Sequence, residues 1–121
     1  MLSDEELTRY ARHLVLPQIG GQGQQRLKAS RVCVVGAGGI GAAAIPALAG
    51  AGVGHLTIID ADAVDLSNLQ RQPLYRTRDI GEPKAALAAQ FVRRLNPFAG
   101  VAPVEQRIDT ANARDLLAGH D

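Results

Sequence analysis

Apolar positions recur at helical spacing through Leu7, Tyr10, Ala11 and Leu14, behind a Ser3/Glu6 pair with capping-box spacing, and predict a helix from Ser3 to Leu14. Pro17 and the glycines at 20, 21 and 23 end it, and Gln24 to Ala29 forms a short helix. The run VCVV within Arg31 to Val35 predicts a first strand buried on both faces. A helix from Gly39 to Ala51 follows, weakened or kinked by Pro46, and His55 to Asp60 (HLTIID) is the second strand. From Asp60 to Gly81 no period is sustained, so this is a long loop of the kind that often carries function. Pro83 suits the first position of a helix whose apolar face is Leu87, Phe91 and Leu95 with Ala88 and Val92, and Asn96-Pro97 stops it. Val101 to Ile108 is a third strand that Pro103 assigns to a sheet edge. Thr110 caps a last helix carrying Ala113, Leu116 and Leu117, and Gly119 closes it.

Strands alternating with helices, joined by right-handed crossovers, predict an α/β fold: a Rossmann-like half of a doubly wound parallel sheet with strand order 3-2-1 and an N-terminal helix. At 121 residues the chain has room for one domain, with residues 1–30 as a helical arm. A fourth strand would lie against the first and would begin where Gly119-His120-Asp121 stand, leaving the first strand with an open apolar edge suited to self-association. Thirteen basic against twelve acidic residues, with no long run of one sign, give no footprint for nucleic acid or for a membrane surface. The hydrophobic share of 46% with only 3% aromatic means that aliphatic side chains and alanine build the core. Cys33 is the one cysteine, mid-strand, and reads as a core residue in a reducing compartment. No signal-peptide-like or membrane-spanning stretch is present, so the expectation is a cytoplasmic protein.

The candidate chemistry begins where the first strand runs into Gly36, Gly38, Gly39 and Gly41. G-x-G-x-x-G between strand and helix turns tightly and lets backbone N–H groups approach a phosphate at the helix's positive end. The same glycines could serve only close strand–helix packing. Asp60, closing the second strand, can accept hydrogen bonds from both ribose hydroxyls of a nucleotide, or can simply cap a turn. The segment Asp60 to Gln72 (DADAVDLSNLQRQ) is more specific, since it adds Asp62, Asp65, Asn68 and Arg71, with Lys84 at the next helix start. Carboxylates for ribose or metal and cations for phosphate suit a nucleoside triphosphate, while the plain alternative is a solvated loop of Asx turns. A cation such as Lys84 is disfavoured at a helix N-terminus unless an anion is near, whereas Arg12 at a helix end only complements the dipole. The histidines at 13, 55 and 120 are scattered, and no metal-ligating set is nominated.

Together R-x-x-R (Arg9 to Arg12), G-A-G-G-I-G (Gly36 to Gly41), A-G-V-G (Ala51 to Gly54), D-x-D-x-V-x-x-S-N-L-x-R-Q (Asp60 to Gln72) and G-E-P-K (Gly81 to Lys84) resemble the MoeB/ThiF family, bacterial relatives of ubiquitin-activating enzymes. The resemblance implies ATP-dependent adenylation of the C-terminal carboxylate of a ubiquitin-like sulfur-carrier protein ending in Gly-Gly, as in molybdopterin or thiamine biosynthesis, releasing pyrophosphate. It implies that Gly39 and Gly41 line the triphosphate, that Asp60 holds the ribose, and that Asn68, Arg71 and Lys84 contact phosphates. Arg12 would be offered to the neighbouring subunit's site in a homodimer, and Asp62 would have an indirect metal role. Attack of one anion on another needs fixed positive charge at the α-phosphate, in keeping with those roles.

Members of that family are considerably longer. The resemblance places the principal Mg²⁺ ligand, an Asp at the end of a further strand, beyond residue 121, together with the acceptor cysteine and zinc-binding cysteines of some members and most of the carrier-binding surface. Residues 1–121 alone are therefore expected to be weakly active or inactive. Two other readings stand beside adenylation: a non-catalytic, self-associating ATP-binding module, and an NAD-binding oxidoreductase fragment. The last leaves Asn68, Arg71 and Lys84 without a role.

Overall fold

A computed structural model describes residues 1–121 throughout. The N-terminal arm keeps its capping box: Ser3 Oγ accepts the Glu6 N–H at 3.2 Å and Glu6 Oε2 accepts the Ser3 N–H at 2.7 Å. The single helix expected over 3–14 is two, α1 (Asp4–Arg9) and α2 (Ala11–Leu14). The break falls at Tyr10, whose ring is buried and whose hydroxyl accepts from Asn96 Nδ2, so a tertiary contact overrides the local helical pattern. Beyond the arm, α3 spans Gly20–Ala29 and opens on the glycines expected to end the preceding helix. Its anchor is Gln24, fully buried between His13 Nδ1 and the Ala51 carbonyl, which outweighs the poor helix propensity of glycine.

Glu6 is buried and ion-paired to Lys28 at 2.9 Å. The Ser3 N–H, and after it Lys28, hold its carboxyl below the ordinary 4.5. A carboxylate with a depressed folded-state pKa contributes stability above its unfolded pKa and loses that contribution as pH falls through the folded value. Glu6→Gln is accordingly expected to cost about 1 kcal/mol near neutral pH. Urea titrations of the two proteins should converge in acid, below the ordinary carboxylate range; a gap that stays constant with pH would mean the charge is not involved.

Strands β1 (Arg31–Val35), β2 (His55–Ile59) and β3 (Gly100–Val104) form one parallel sheet in spatial order β1-β2-β3, the expected 3-2-1 arrangement. Pro103 sits in the edge strand β3, where a missing N–H breaks no ladder bond on the open side. The central strand β2 is buried from Leu56 to Ile59, whereas β1 is only half-buried with exposed ends, so its apolar run does not mark a strand covered on both faces. Residues 119–121 lie along the free side of β1: Asp121 N–H donates to the Arg31 carbonyl at 2.8 Å, and Arg31 N–H donates to the Asp121 carboxylate at 2.9 Å. On that lower face His120 Nε2 meets Thr57 Oγ1 at 2.7 Å.

The upper face carries α4 (Gly41–Ala51) and α5 (Lys84–Leu95). Ile45, Ala49, Leu56, Ile58, Ala85, Ala88 and Val92 form one core cluster, and the alanines let both helices sit close to the sheet. α4 runs through Pro46 as a single helix. Pro83 is the N-cap of α5 rather than its first helical residue, and β3 ends at Val104 instead of Ile108. The short helix α6 (Ala113–Leu117) is preceded by Asp109, not Thr110, as the capping acceptor: Asp109 Oδ1 takes the N–H groups of Ala111 and Asn112. The long loop holds two 3₁₀ turns, Leu66–Asn68 and Thr77–Asp79, and an antiparallel bridge between Ala63 and Pro83. No helix is long and apolar enough to cross a membrane.

Candidate functional site

The site is built at the carboxyl ends of the strands. As β1 ends, Gly36 turns the chain with φ +94° while its N–H donates to the Ile59 carbonyl at 2.7 Å. Gly41 must lack a side chain, because a Cβ there would stand 1.9 Å from the Gly36 oxygen. Between them Ala37 is sealed from solvent and held on both sides. Its N–H donates to Asp60 Oδ2 at 2.8 Å, and its carbonyl accepts the Tyr75 hydroxyl at 2.5 Å. From Gly38 onward the pattern reverses: the N–H groups of Gly38, Gly39, Ile40 and Gly41 meet no acceptor in the chain. They are the orphan donors of the N-terminus of an 11-residue helix, at the positive end of its dipole, and the space a Cβ of Gly39 would enter is empty to 4 Å. Such an arrangement is a receptor for an anion.

Beside it, Asp60 Oδ1 accepts the Asp62 N–H at 2.7 Å, and a small crevice of about 190 Å³ opens between Gly36, Asp60, Asp62 and Arg107. Arg107 reaches Asp62 at 3.7 Å, but both side chains are well exposed, so the pair adds little stability. The Asp62 carbonyl accepts the Lys84 N–H at 3.0 Å, tying the start of α5 to the end of β2. Lys84 is only 5% exposed, yet its ammonium takes part in no salt bridge or hydrogen bond. The stem is covered while the ammonium nitrogen keeps access to solvent, at a helix N-terminus where a cation is disfavoured unless an anion is near. Further along, Asp65 and Asn68 cap each other across the first 3₁₀ turn, with Asn68 Oδ1 accepting the Asp65 N–H at 2.9 Å. The hydroxyl and N–H of Ser67 hold the Asp65 carboxyl below its ordinary value, with Lys84 a smaller influence. Three larger surface clefts, of about 430, 660 and 410 Å³, contain none of the glycine-loop residues.

A divalent cation finds no ligand set in these residues. No group of three His, Cys, Asp or Glu side chains is placed to hold one.

Residues 10–121 match the ThiF family model. The chain belongs to the ThiF family. This ThiF-family chain is 52% identical over 120 residues to a SAMP-activating enzyme E1 of Haloferax volcanii, covering 99% of itself and 44% of that protein. It is 46% identical over 117 residues to a sulfur carrier protein adenylyltransferase of Thermus thermophilus, covering 97% of itself and 43% of the relative. Among solved structures, the Escherichia coli tRNA N6-threonylcarbamoyladenosine dehydratase in complex with ATP superimposes with a TM-score of 0.92 at 30% identity, covering 99% of this chain and 49% of that one. The chain thus spans a little under half the length of each of these three proteins.

The fold brings Gly36, Gly38, Gly39, Gly41, Asp60, Asp62 and Lys84 to one end of the sheet, and Asn68 is held on the following loop by Asp65. Arg71 lies on the same loop, exposed, with its guanidinium on the Ser67 carbonyl at 2.9 Å. Arg12 is not brought there. Tyr10 packs against Gly52 and His13 bonds Gln24, which in turn bonds Ala51, so α2 sits at the far end of α4, roughly 15 Å from the glycine loop. Sequence reasoning passed over Tyr75, Gln72 and Arg107. Tyr75 carried a weak signal, an aromatic residue in a polar loop of an aromatic-poor chain; Gln72 closes the Asp60 to Gln72 motif but was given no role, and nothing local marked Arg107.

Proposed function

We propose that this chain is the single nucleotide-binding unit, with residues 1–30 as its arm, of a cytoplasmic enzyme that adenylates the C-terminal glycine of a ubiquitin-like sulfur-carrier protein at the expense of ATP. The observation that carries the nucleotide part is the row of unpaired N–H groups from Gly38 to Gly41, with the ammonium of Lys84, which has no carboxylate partner, at the start of the neighbouring helix. The carrier part is supported by the relatives that activate or adenylate such proteins.

In this reading the N–H groups of Gly39 and Gly41 line the triphosphate. Asp60, whose oxygens each keep a lone pair after accepting one N–H, receives the ribose hydroxyls. Asn68, Arg71 and Lys84 contact phosphate oxygens, offsetting the charge that grows when the carrier carboxylate attacks the α-phosphate and pyrophosphate leaves. Arg12, out of reach of its own glycine loop, serves a neighbouring copy in a homodimer. Mg²⁺ neutralises part of the triphosphate charge when bound, with its principal ligand outside residues 1–121.

The test is pyrophosphate exchange by the full-length protein with carriers ending in Gly-Gly. Exchange that depends on such a carrier is the expected result, and none with any carrier would overturn adenylation. ATP binding without exchange would instead mark a non-catalytic module, and NAD bound more tightly than ATP would revive the oxidoreductase reading. Lys84→Met, which keeps the stem and removes the charge, is expected to weaken ATP binding roughly 10- to 100-fold in calorimetry with the fold intact. Unchanged affinity would remove Lys84 from the phosphate site.

A further inference from the structure

We propose that Tyr75 is the positioning residue that aims the glycine loop's N–H groups at the phosphates: by holding the Ala37 carbonyl inward, its hydroxyl fixes the Gly38 N–H outward. This rests on the nucleotide reading above, and it assigns a role to a residue that touches no substrate.

The reasoning starts from the planarity of the peptide unit. In a trans peptide the carbonyl and the N–H point in opposite directions, and the chain has no cis peptide bond. The Gly36–Ala37 peptide is set by Asp60, which takes the Ala37 N–H at 2.8 Å and thereby turns the Gly36 oxygen toward Gly41, where only a glycine leaves room for it. The next peptide, Ala37–Gly38, is set by Tyr75. Its hydroxyl holds the Ala37 oxygen at 2.5 Å inside the protein, so the Gly38 N–H on the other side faces the open end of α4, where it has no acceptor. Two side chains from different parts of the chain therefore orient two successive peptide planes.

The hydroxyl is suited to this. Tyr75 is 4% exposed and sits in a cluster with Ala42 and Val64; a phenol is protonated at neutral pH in any case, and burial first and the Asp60 charge second push its pKa further up. Its role is to donate and stay put. A competing partner lies beside Gly38. Gln72 is 3% exposed, its Oε1 has no hydrogen-bond partner, and its carboxamide nitrogen stands 3.5 Å from where a Gly38 Cβ would be. With the Tyr75 hydroxyl gone, the Ala37–Gly38 peptide can turn over, offering Gly38 N–H to the Gln72 side and presenting the Ala37 oxygen, a partial negative charge, to the phosphates. Glycine at position 38 has the conformational freedom to allow it.

The experiment is Tyr75→Phe in the complete protein, with ATP and adenosine titrated calorimetrically and the amide resonances of residues 36–41 followed by NMR. ATP binding is expected to weaken about tenfold or more while adenosine, which has no phosphates, binds as before. The unliganded variant should show exchange broadening confined to Gly38 and its neighbours. Equal weakening of ATP and adenosine would mean a merely structural tyrosine and would overturn the proposal, as would unchanged ATP binding. If the unaltered protein binds neither ligand, the nucleotide reading falls, while loop exchange in the unliganded variant still decides whether Tyr75 orients the peptide. Should Tyr75→Phe fail to fold, a slowly exchanging, downfield hydroxyl proton in the unaltered protein tests the bond directly, and its absence would overturn the proposal.

Discussion

Gly41→Ala is expected to destabilise the protein by about 3 kcal/mol and to abolish measurable nucleotide binding. The added methyl would lie 1.9 Å from the Gly36 oxygen and 2.8 Å from its carbon, far inside contact distance, and the obstacle is backbone rather than a side chain that can swing away. Relief requires α4 to move off the sheet or the Gly36–Ala37 peptide to rotate. The first opens the core at Ile45 and Ala49, and the second breaks the Ala37 N–H bond to Asp60. Either displaces the N–H groups proposed to receive phosphate. A loss of this size is a large part of the roughly 5–15 kcal/mol that holds a domain folded. Urea denaturation measures the first effect and calorimetry with ATP the second. Gly39→Ala is the control, since nothing lies within 4 Å of the new methyl and stability should hardly change. Equal stability losses at the two positions would mean that glycine's backbone freedom, and not the close approach of Gly41, governs this loop.

Asn96→Ala is expected to cost a similar amount, about 3 kcal/mol, while lying far from the glycine loop. Asn96 is fully buried, and its amide nitrogen donates both to Tyr10 Oη at 2.7 Å and to the Ala49 carbonyl at 2.8 Å, while its Oδ1 accepts the Phe98 N–H at 3.0 Å. One side chain thereby joins the N-terminal arm, the end of α4 and the turn into β3. Truncation leaves the Ala49 carbonyl and the Phe98 N–H without these partners. Asn96→Asp should be at least as damaging, because a carboxylate cannot donate to either oxygen and would be a charge out of water. If Asn96→Asp were tolerated at neutral pH, this account of the amide would be wrong. ATP affinity, measured under conditions where Asn96→Ala remains folded, should stay near that of the unaltered protein.

What the sequence determined by itself is the order and type of the main elements, and it nominated the residues of the proposed site. Local periodicity and turn chemistry place β1, β2, α5 and the Ser3/Glu6 cap. The alternation of strand and helix, with right-handed crossovers, predicts a parallel sheet, and the order β1-β2-β3 is the one that puts α4 and α5 on the same face. The glycines, Asp60, Asn68, Arg71 and Lys84 could be nominated because their types and spacing suit a nucleoside triphosphate and match the family resemblance. Tertiary structure alone decided what depends on contacts between distant segments. It broke the first helix at Tyr10, because Asn96 waits 86 residues away for its hydroxyl. It began α3 on glycines, because Gln24 is buried against His13 and Ala51. It left Lys84 without a partner and set Arg12 at the opposite end of α4. And it brought Tyr75 under Ala37, 38 residues earlier, to orient a peptide whose own residues cannot specify which way its N–H points. Local sequence limits which backbone angles are accessible; the choice among them at the glycine loop is made by side chains that only the folded chain brings near.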